Sequence, residues 1–301
     1  MVLVSGHTHD HIDWADRLAY LRAADALDAP AQAAIAARLV EKLPSRPTVI
    51  DLGCGAGGMS THFAAALAER SGGTIVLVDA TPELLQEAAR IVQYAAAAAA
   101  TDGTASKVEV QAIVADLADA ALPDRLPAAD LVWASRVVHH LPDQQAATGT
   151  IASIARPGGI VALAEGGLSF CFLPWDLGVG RPGLEDRLQA AQAAWFVGMR
   201  EGIDGAVPMP YGWPLALERA GLAEVRSFSA LVDHPAPGPD GLTDYVHHHL
   251  SRLAMNAADH LSDDDQSVLA SLLDPDSPHY LGKRRDLYLL GARTVHHGRR
   301  T

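Results

Sequence analysis

An α/β fold built on an open, mostly parallel sheet flanked by helices is predicted by three observations. Apolar runs rich in β-branched residues recur along the first half of the chain, helical segments separate them, and several of the runs stop at an acid or at glycines. The first run, Thr48 to Leu52, ends at Asp51-Leu52-Gly53-Cys54-Gly55-Ala56-Gly57. Glycines at alternate positions let the backbone turn tightly and approach a ligand that a Cβ would push away. Met59 to Arg70 reads as the following helix. Alone, such a turn serves dinucleotides, other nucleotides or no ligand at all.

The second run, Thr74 to Asp79, places a carboxylate about 25 residues beyond the glycines, where it can hydrogen-bond the hydroxyls of a ribose. Asp79 also stands where a helix cap would, because Thr81-Pro82-Glu83 opens a helix with proline in its first turn. The third strand, Val108 to Val114, leads to Ala115-Asp116-Leu117. The fourth, Asp130 to Ser135, leads to Arg136-Val137-Val138-His139-His140-Leu141-Pro142. Ala155-Arg156-Pro157-Gly158-Gly159 is a turn feeding a fifth strand from Ile160 to Leu163.

In this order and spacing, the segments from Thr48 to Glu165, with the final strand, resemble the class I S-adenosylmethionine-dependent methyltransferases. The resemblance implies a Rossmann-like seven-stranded sheet of order 3-2-1-4-5-7-6 with helical cap insertions. It also implies S-adenosyl-L-methionine as cofactor and S-adenosyl-L-homocysteine as product. Asp51 and the backbone of Gly53, Cys54, Gly55 and Gly57 are expected to line the methionine and ribose part of the cofactor, Asp79 to take the ribose hydroxyls, and Ala80 to lie beside the adenine. Asp116 is expected to accept from the adenine amino group, Leu117 to pack near that ring, and Ser135 and Arg136 to sit at the methionine end. A nicotinamide-dependent oxidoreductase is the rival, since Gly53, Gly55 and Gly58 can be read as its fingerprint. It lacks a Tyr-x-x-x-Lys or comparable hydride-transfer set here. A cofactor-binding scaffold without methyl transfer is the other alternative.

Composition narrows the partners. A formal net charge of −13, with lysine only at 42, 107 and 283, argues against nucleic acid as acceptor. No apolar run approaches the length of a membrane span, and Met1-Val2-Leu3-Val4 is too short for a secretory leader, so a cytoplasmic protein is expected. Cys54 and Cys171 are expected to be free thiols. A small-molecule or short-peptide acceptor is expected, most consistent with a specialised metabolite; a homodimer is compatible with the sequence, which does not fix the oligomeric state.

Outside the sheet, four units are expected: an N-terminal helical lid at 1–47, the cofactor-binding core at 48–165, an aromatic-rich helical cap at 166–214, and the end of the sheet at 215–301 with a helical insertion at about 242–273. Trp14 to Leu43 carries helical patterning, and Trp14 and Tyr20 are candidate lid residues. The cap holds Phe170, Phe172, Trp175, Trp195, Phe196, Tyr211 and Trp213 in a chain that is 5% aromatic. Trp175, Trp195, Phe196 and Tyr211 are candidate acceptor contacts, set against the alternative of a small helical core. In the insertion, Ser262 is expected to cap a helix opened by acids.

Histidine is weighed case by case. His7, His9 and His11 lack the spacing of a dinuclear metal motif, and His247, His248 and His249 on a helix point in different directions, so no metal is expected. His139 and His140 stand at the end of strand four, where an imidazole can take a proton from a hydroxyl or ammonium acceptor, with His140 weakly favoured. A carboxylate acceptor would need no base.

Overall fold

The computed structural model describes residues 14–99 and 107–301. Val49, Ile50, Leu52 and the run Ile75–Val78 have no solvent exposure, as strands covered by helices on both faces require. They lie in β1 (Thr48–Leu52) and β2 (Gly73–Asp79), which pair in parallel. β3 (Val108–Val114) adds to β2, β4 (Ala129–Ser135) adds to β1, and β5 (Ala155–Ala164) adds to β4, all in parallel. The long antiparallel β8 (Leu289–Arg300) follows β5, and β7 (Leu222–His234) pairs along β8.

The order matches the predicted one with a single departure: among the described residues the sheet has eight strands, not seven. The extra strand, β6 (Gly167–Cys171), pairs antiparallel with β8 through Gly167↔Arg293 and Leu168↔Ala292, and β5 pairs with the same side of β8 through Leu163↔His296. β6 therefore continues the path of β5 after a break at Glu165-Gly166. The cap expected to be helical from residue 166 begins as sheet.

Helices cover the two faces. α1 (Trp14–Val40), α2 (Gly58–Arg70) and α3 (Pro82–Ala99) pack on one side, where Leu39, Phe63, Leu77, Leu85 and Trp133 share a core. α4 (Leu122–Arg125), α5 (Gln144–Ile154) and α7 (Trp213–Arg219) cover the other, around Ile50, Val132, Ile151 and Leu217.

A third core forms beyond the edge of the parallel strands. It joins Ala24, Leu27 and Ala31 of α1 to Leu184 and Leu188 of α6 (Leu184–Glu201), Val246 and Leu250 of α8 (Leu242–Asn256), and Leu269 and Leu272 of α9 (Asp263–Leu273). Lid, cap and insertion thus share one apolar cluster. α1 spans two cores, because Ile35, Ala36 and Leu39 in its second half belong to the first, and Pro30 lies near the changeover. Ser262 caps α9 by accepting from the Asp265 amide at 3.2 Å, and three acids follow in the first turn.

Candidate functional site

The glycine loop is fixed by β2. The amides of Gly53 and Cys54 both donate to the Val78 carbonyl, at 2.8 and 3.0 Å. Gly53 has φ 68°, and a Cβ there would lie 2.5 Å from Val137 Cγ2, so glycine is needed for the loop to pass the segment after β4. Gly55, at φ 54°, differs: a Cβ would meet nothing within 4 Å. Its bare face looks onto open space at the mouth of α2, where a ligand can approach the backbone.

Asp79 ties this loop to the next helix. Its Oδ2 accepts from the Gly55 amide and its Oδ1 from the Thr81 amide, each at 2.9 Å. Asp79 therefore braces the glycine loop and forms the turn that leads into α3. Asp51 is buried and accepts from Ser60 Oγ of α2 at 2.6 Å. Burial pushes its carboxyl up to about 7, opposed by the Ser60 bond and reinforced by the charges of Asp79 and Asp25. Asp25 comes from α1 and lies so close over Gly58 that any side chain there would collide with its carboxylate. Burial also raises the Asp25 pKa.

The remaining strand ends converge on the same edge. Asp116 Oδ1 accepts from the Ala118 amide at 2.8 Å, forming the turn after β3, and the Ala115 amide donates to the Asp79 carbonyl at 3.1 Å. Leu117 packs against the core beneath, Ala80 is exposed, Cys54 is buried, and Ser135 is half-buried at the end of β4. Arg136 is exposed, has φ 54°, and donates its amide to the Ala164 carbonyl at 3.1 Å.

Glu165, at the break after β5, organises the segment behind Arg136. Its side chain is 1% exposed. Oε1 accepts from the amides of Val137 (2.9 Å) and Val138 (2.8 Å), and Oε2 lies 2.6 Å from His139 Nδ1. A carboxylate partner favours the tautomer with its proton on Nδ1, which leaves Nε2 as the ring nitrogen away from Glu165. Arg200 of α6 donates to the carbonyls of His139 and Leu141, at 2.9 and 2.7 Å, holding the turn from the cap side. The sequence weighting leans to His140, whereas the carboxylate lies on His139; His140 is exposed, its ring centroid 4.1 Å from that of His139. Glu165 was missed, although an acid ending an apolar strand is the same feature that marks Asp79.

Beside Arg136 a cavity of about 310 Å³ lies among β6, β8, α1, α6 and α8. Tyr20, Phe170, Phe172, Tyr245 and His249 supply aromatic walls, and Arg136, Glu185, Gln189, Gln192 and Arg293 supply polar groups. Tyr20 stacks on Tyr245, with centroids 5.6 Å apart and planes 5° apart. Arg293 donates through Nε to Asp28 Oδ2 at 2.9 Å and lies 4.3 Å over the Phe170 ring. Glu185 accepts from the Phe172 amide at 2.7 Å, and burial pushes its carboxyl up to about 7. Burial, with Arg252 and His248 beside it, pushes His249 down to about 4.

Of the aromatic candidates, Tyr20 lines this cavity. Trp195 packs against the cap core, and Phe196 lies 5.5 Å from the His139 ring. Trp175 is 72% exposed. Tyr211 donates to Gln145 Oε1 of α5 at 3.0 Å, with Arg219 over its ring, away from the cavity lining. Trp14 opens α1, and its side chain lies outside the described residues, as do His7, His9 and His11. No helix among the described residues is long and apolar enough to cross a membrane.

Comparison with known proteins bears on the same region. A model described as a methyltransferase domain matches residues 50–161. A 2-methyl-6-phytyl-1,4-hydroquinone methyltransferase of Synechocystis sp. is 27% identical over 126 residues, covering 42% of this chain and 34% of that protein. The match thus spans about a third of the length of this curated relative. Among solved structures, a protein of Bacillus halodurans C-125 is 16% identical with a TM-score of 0.48, the match covering 88% of this chain and 99% of the other. An S-adenosylmethionine-dependent methyltransferase of Thiobacillus denitrificans, solved with S-adenosyl-L-homocysteine, is 17% identical with a TM-score of 0.42, covering 88% and 89%.

Proposed function

We propose that the chain is a class I S-adenosylmethionine-dependent methyltransferase, a reading supported by the methyltransferase-domain match at residues 50–161, and that it methylates O, N or C of a small-molecule acceptor, a specialised metabolite. The observation that carries this reading is the convergence of Asp51, Asp79, Asp116 and Ser135 on one sheet edge, around a loop whose Gly55 faces open space. Open α/β sheets take their ligands at this edge. S-adenosyl-L-methionine supplies, when bound, a methyl group made electrophilic by its sulfonium.

The chain's own residues then have placement and proton work to do. Asp79 is held by two amides in the position that suits ribose hydroxyls, and the Gly53–Gly57 backbone suits the methionine side. Alignment of acceptor and donor with exclusion of water supplies most of what such a displacement needs. For a hydroxyl or ammonium acceptor, His139 is the proton acceptor through Nε2, with Glu165 fixing its tautomer and orientation.

Calorimetric titration with S-adenosyl-L-homocysteine, followed by labelled-methyl transfer to a panel of phenols, amines and carboxylic acids, tests the reading. Absence of homocysteine-product binding would sink it. Binding with no transfer to any class would favour the scaffold alternative. Where a hydroxyl acceptor is found, His139→Ala is expected to lower kcat by about 10²-fold or more, and Glu165→Gln, which keeps the shape but not the charge beside Nδ1, by a smaller factor.

A further inference from the structure

The cavity beside Arg136 has guanidinium groups toward one end and a carboxyl, Glu185, toward the other. Arg136 abuts the β5–β6 break through its bond to the Ala164 carbonyl, and Arg293 pairs in register with Gly167, the first residue of β6. Glu185 is bonded to the Phe172 amide, just beyond the other end of β6. The five steps from Gly167 to Phe172 cover roughly 16 Å of extended chain, at about 3.3 Å per residue. Both groups line the same cavity, with aromatic rings between them.

Among the described residues the two guanidiniums of the cationic end are partnered unequally. Arg293 is engaged by Asp28 and Phe170, but Arg136 makes no side-chain hydrogen bond or ion pair among the described residues. Asp25 lies within its electrostatic reach and is itself bonded by Gln32. A guanidinium at the rim of an apolar cavity suits a planar two-oxygen anion, whereas Glu185 suits a hydrogen-bond donor or an ammonium.

We propose that this cavity takes an acceptor with a carboxylate held by Arg136 near the donor edge, a flat apolar middle between Tyr20, Phe170 and Tyr245, and an amine held by Glu185 at the far end. The class is that of a short peptide, or of an aryl carboxylate that bears its amine on the opposite side of the ring. The inference rests on the methyltransferase reading, because that reading makes the cavity an acceptor site.

The test uses the 301-residue protein saturated with S-adenosyl-L-homocysteine and three probes: 4-(aminomethyl)phenylacetate, its methyl ester, and 4-methylphenylacetate. Binding is read by calorimetry or saturation-transfer NMR. The first probe is expected to bind about tenfold or more tightly than either analogue. Arg136→Gln should erase the penalty for esterification, and Glu185→Gln the penalty for losing the amine. Equal binding of all three, binding of none, or charge dependence that survives both substitutions would overturn the inference. So would loss of S-adenosyl-L-homocysteine affinity in Arg136→Gln, which would assign that guanidinium to the donor. Failure of the unmodified protein to bind S-adenosyl-L-homocysteine would instead overturn the reading beneath.

Discussion

The glycine cradle and the cap cavity lie side by side but are assembled differently. The cradle takes Asp51, Gly55, Asp79 and Asp116 from the ends of successive strands, each beside the turn that positions it. The cavity takes Tyr20, Arg136, Phe170, Glu185, Tyr245 and Arg293 from six separated segments, none of which forms a wall without the others. Local backbone rules build the first, and tertiary packing builds the second. Damage to the cradle should therefore appear as lost ligand affinity, and damage to the cap as lost stability.

The largest effect is expected from Asp79→Ala, which removes a carboxylate that orders Gly55 and Thr81 as well as any ribose. A fall of about 100-fold in affinity for S-adenosyl-L-homocysteine by calorimetry is expected, and unchanged affinity would break the ribose assignment. Leu250→Ala, at a fully buried site in the cap core, should cost about 2–5 kcal/mol in urea unfolding while leaving the cradle residues in place. A loss under about 0.5 kcal/mol would show the cap core to be loosely packed.

Within the cradle, two glycines separate fold from ligand. Gly53→Ala is expected to destabilise by about 1–3 kcal/mol, since the new methyl meets Val137 at a left-handed backbone position. Gly55→Ala should cost less stability and more affinity, because its methyl points into open space. Melting curves and titrations on the pair would sharpen the contrast, and identical outcomes would remove it.

How far each region was legible follows from the same distinction. The strand order and the strand-end acids could be read because parallel strands are apolar throughout and stop at turns with their own chemistry. β6 could not be read as part of a helical cap, yet Leu168, Phe170 and Phe172 fall at alternate positions, a period of two rather than 3.6. The choice between His139 and His140 was beyond the sequence, since it depends on Glu165 arriving from another strand. Trp175 and Tyr211 show the converse: aromatic composition marks a cap without indicating which rings face the cavity.

A smaller effect ties the two regions through pH. Asp51 in the cradle and Glu185 in the cavity both have carboxyls pushed up to about 7, so the folded chain holds protons that the unfolded chain releases near the ordinary carboxylate range. The stability they contribute is complete at low pH and is lost as pH rises through about 7. Histidines held low by burial, His249 among them, oppose this over the same range, so the contribution is read as a difference: between about pH 4 and pH 7, the window of those two shifts, the urea midpoint of Asp51→Asn with Glu185→Gln should rise relative to that of the unmodified protein. A difference between variant and unmodified protein that does not grow with pH across the window would count against both burials. The smallest effect is expected for Trp175→Ala, within about 0.5 kcal/mol, because that ring is largely exposed.

α1 belongs to both regions at once. Ala24 and Leu27 lie in the cap core, Ile35 and Leu39 lie against the sheet, and Pro30 stands near the passage between them. On the proposed reading, acceptor preference is consequently not a detachable block of this chain. A chimera that exchanged caps would need crossovers within α1, before β6 and around α8, each cutting a packed core. In this architecture new acceptor ranges are reached more readily by point substitution along the cavity than by recombination.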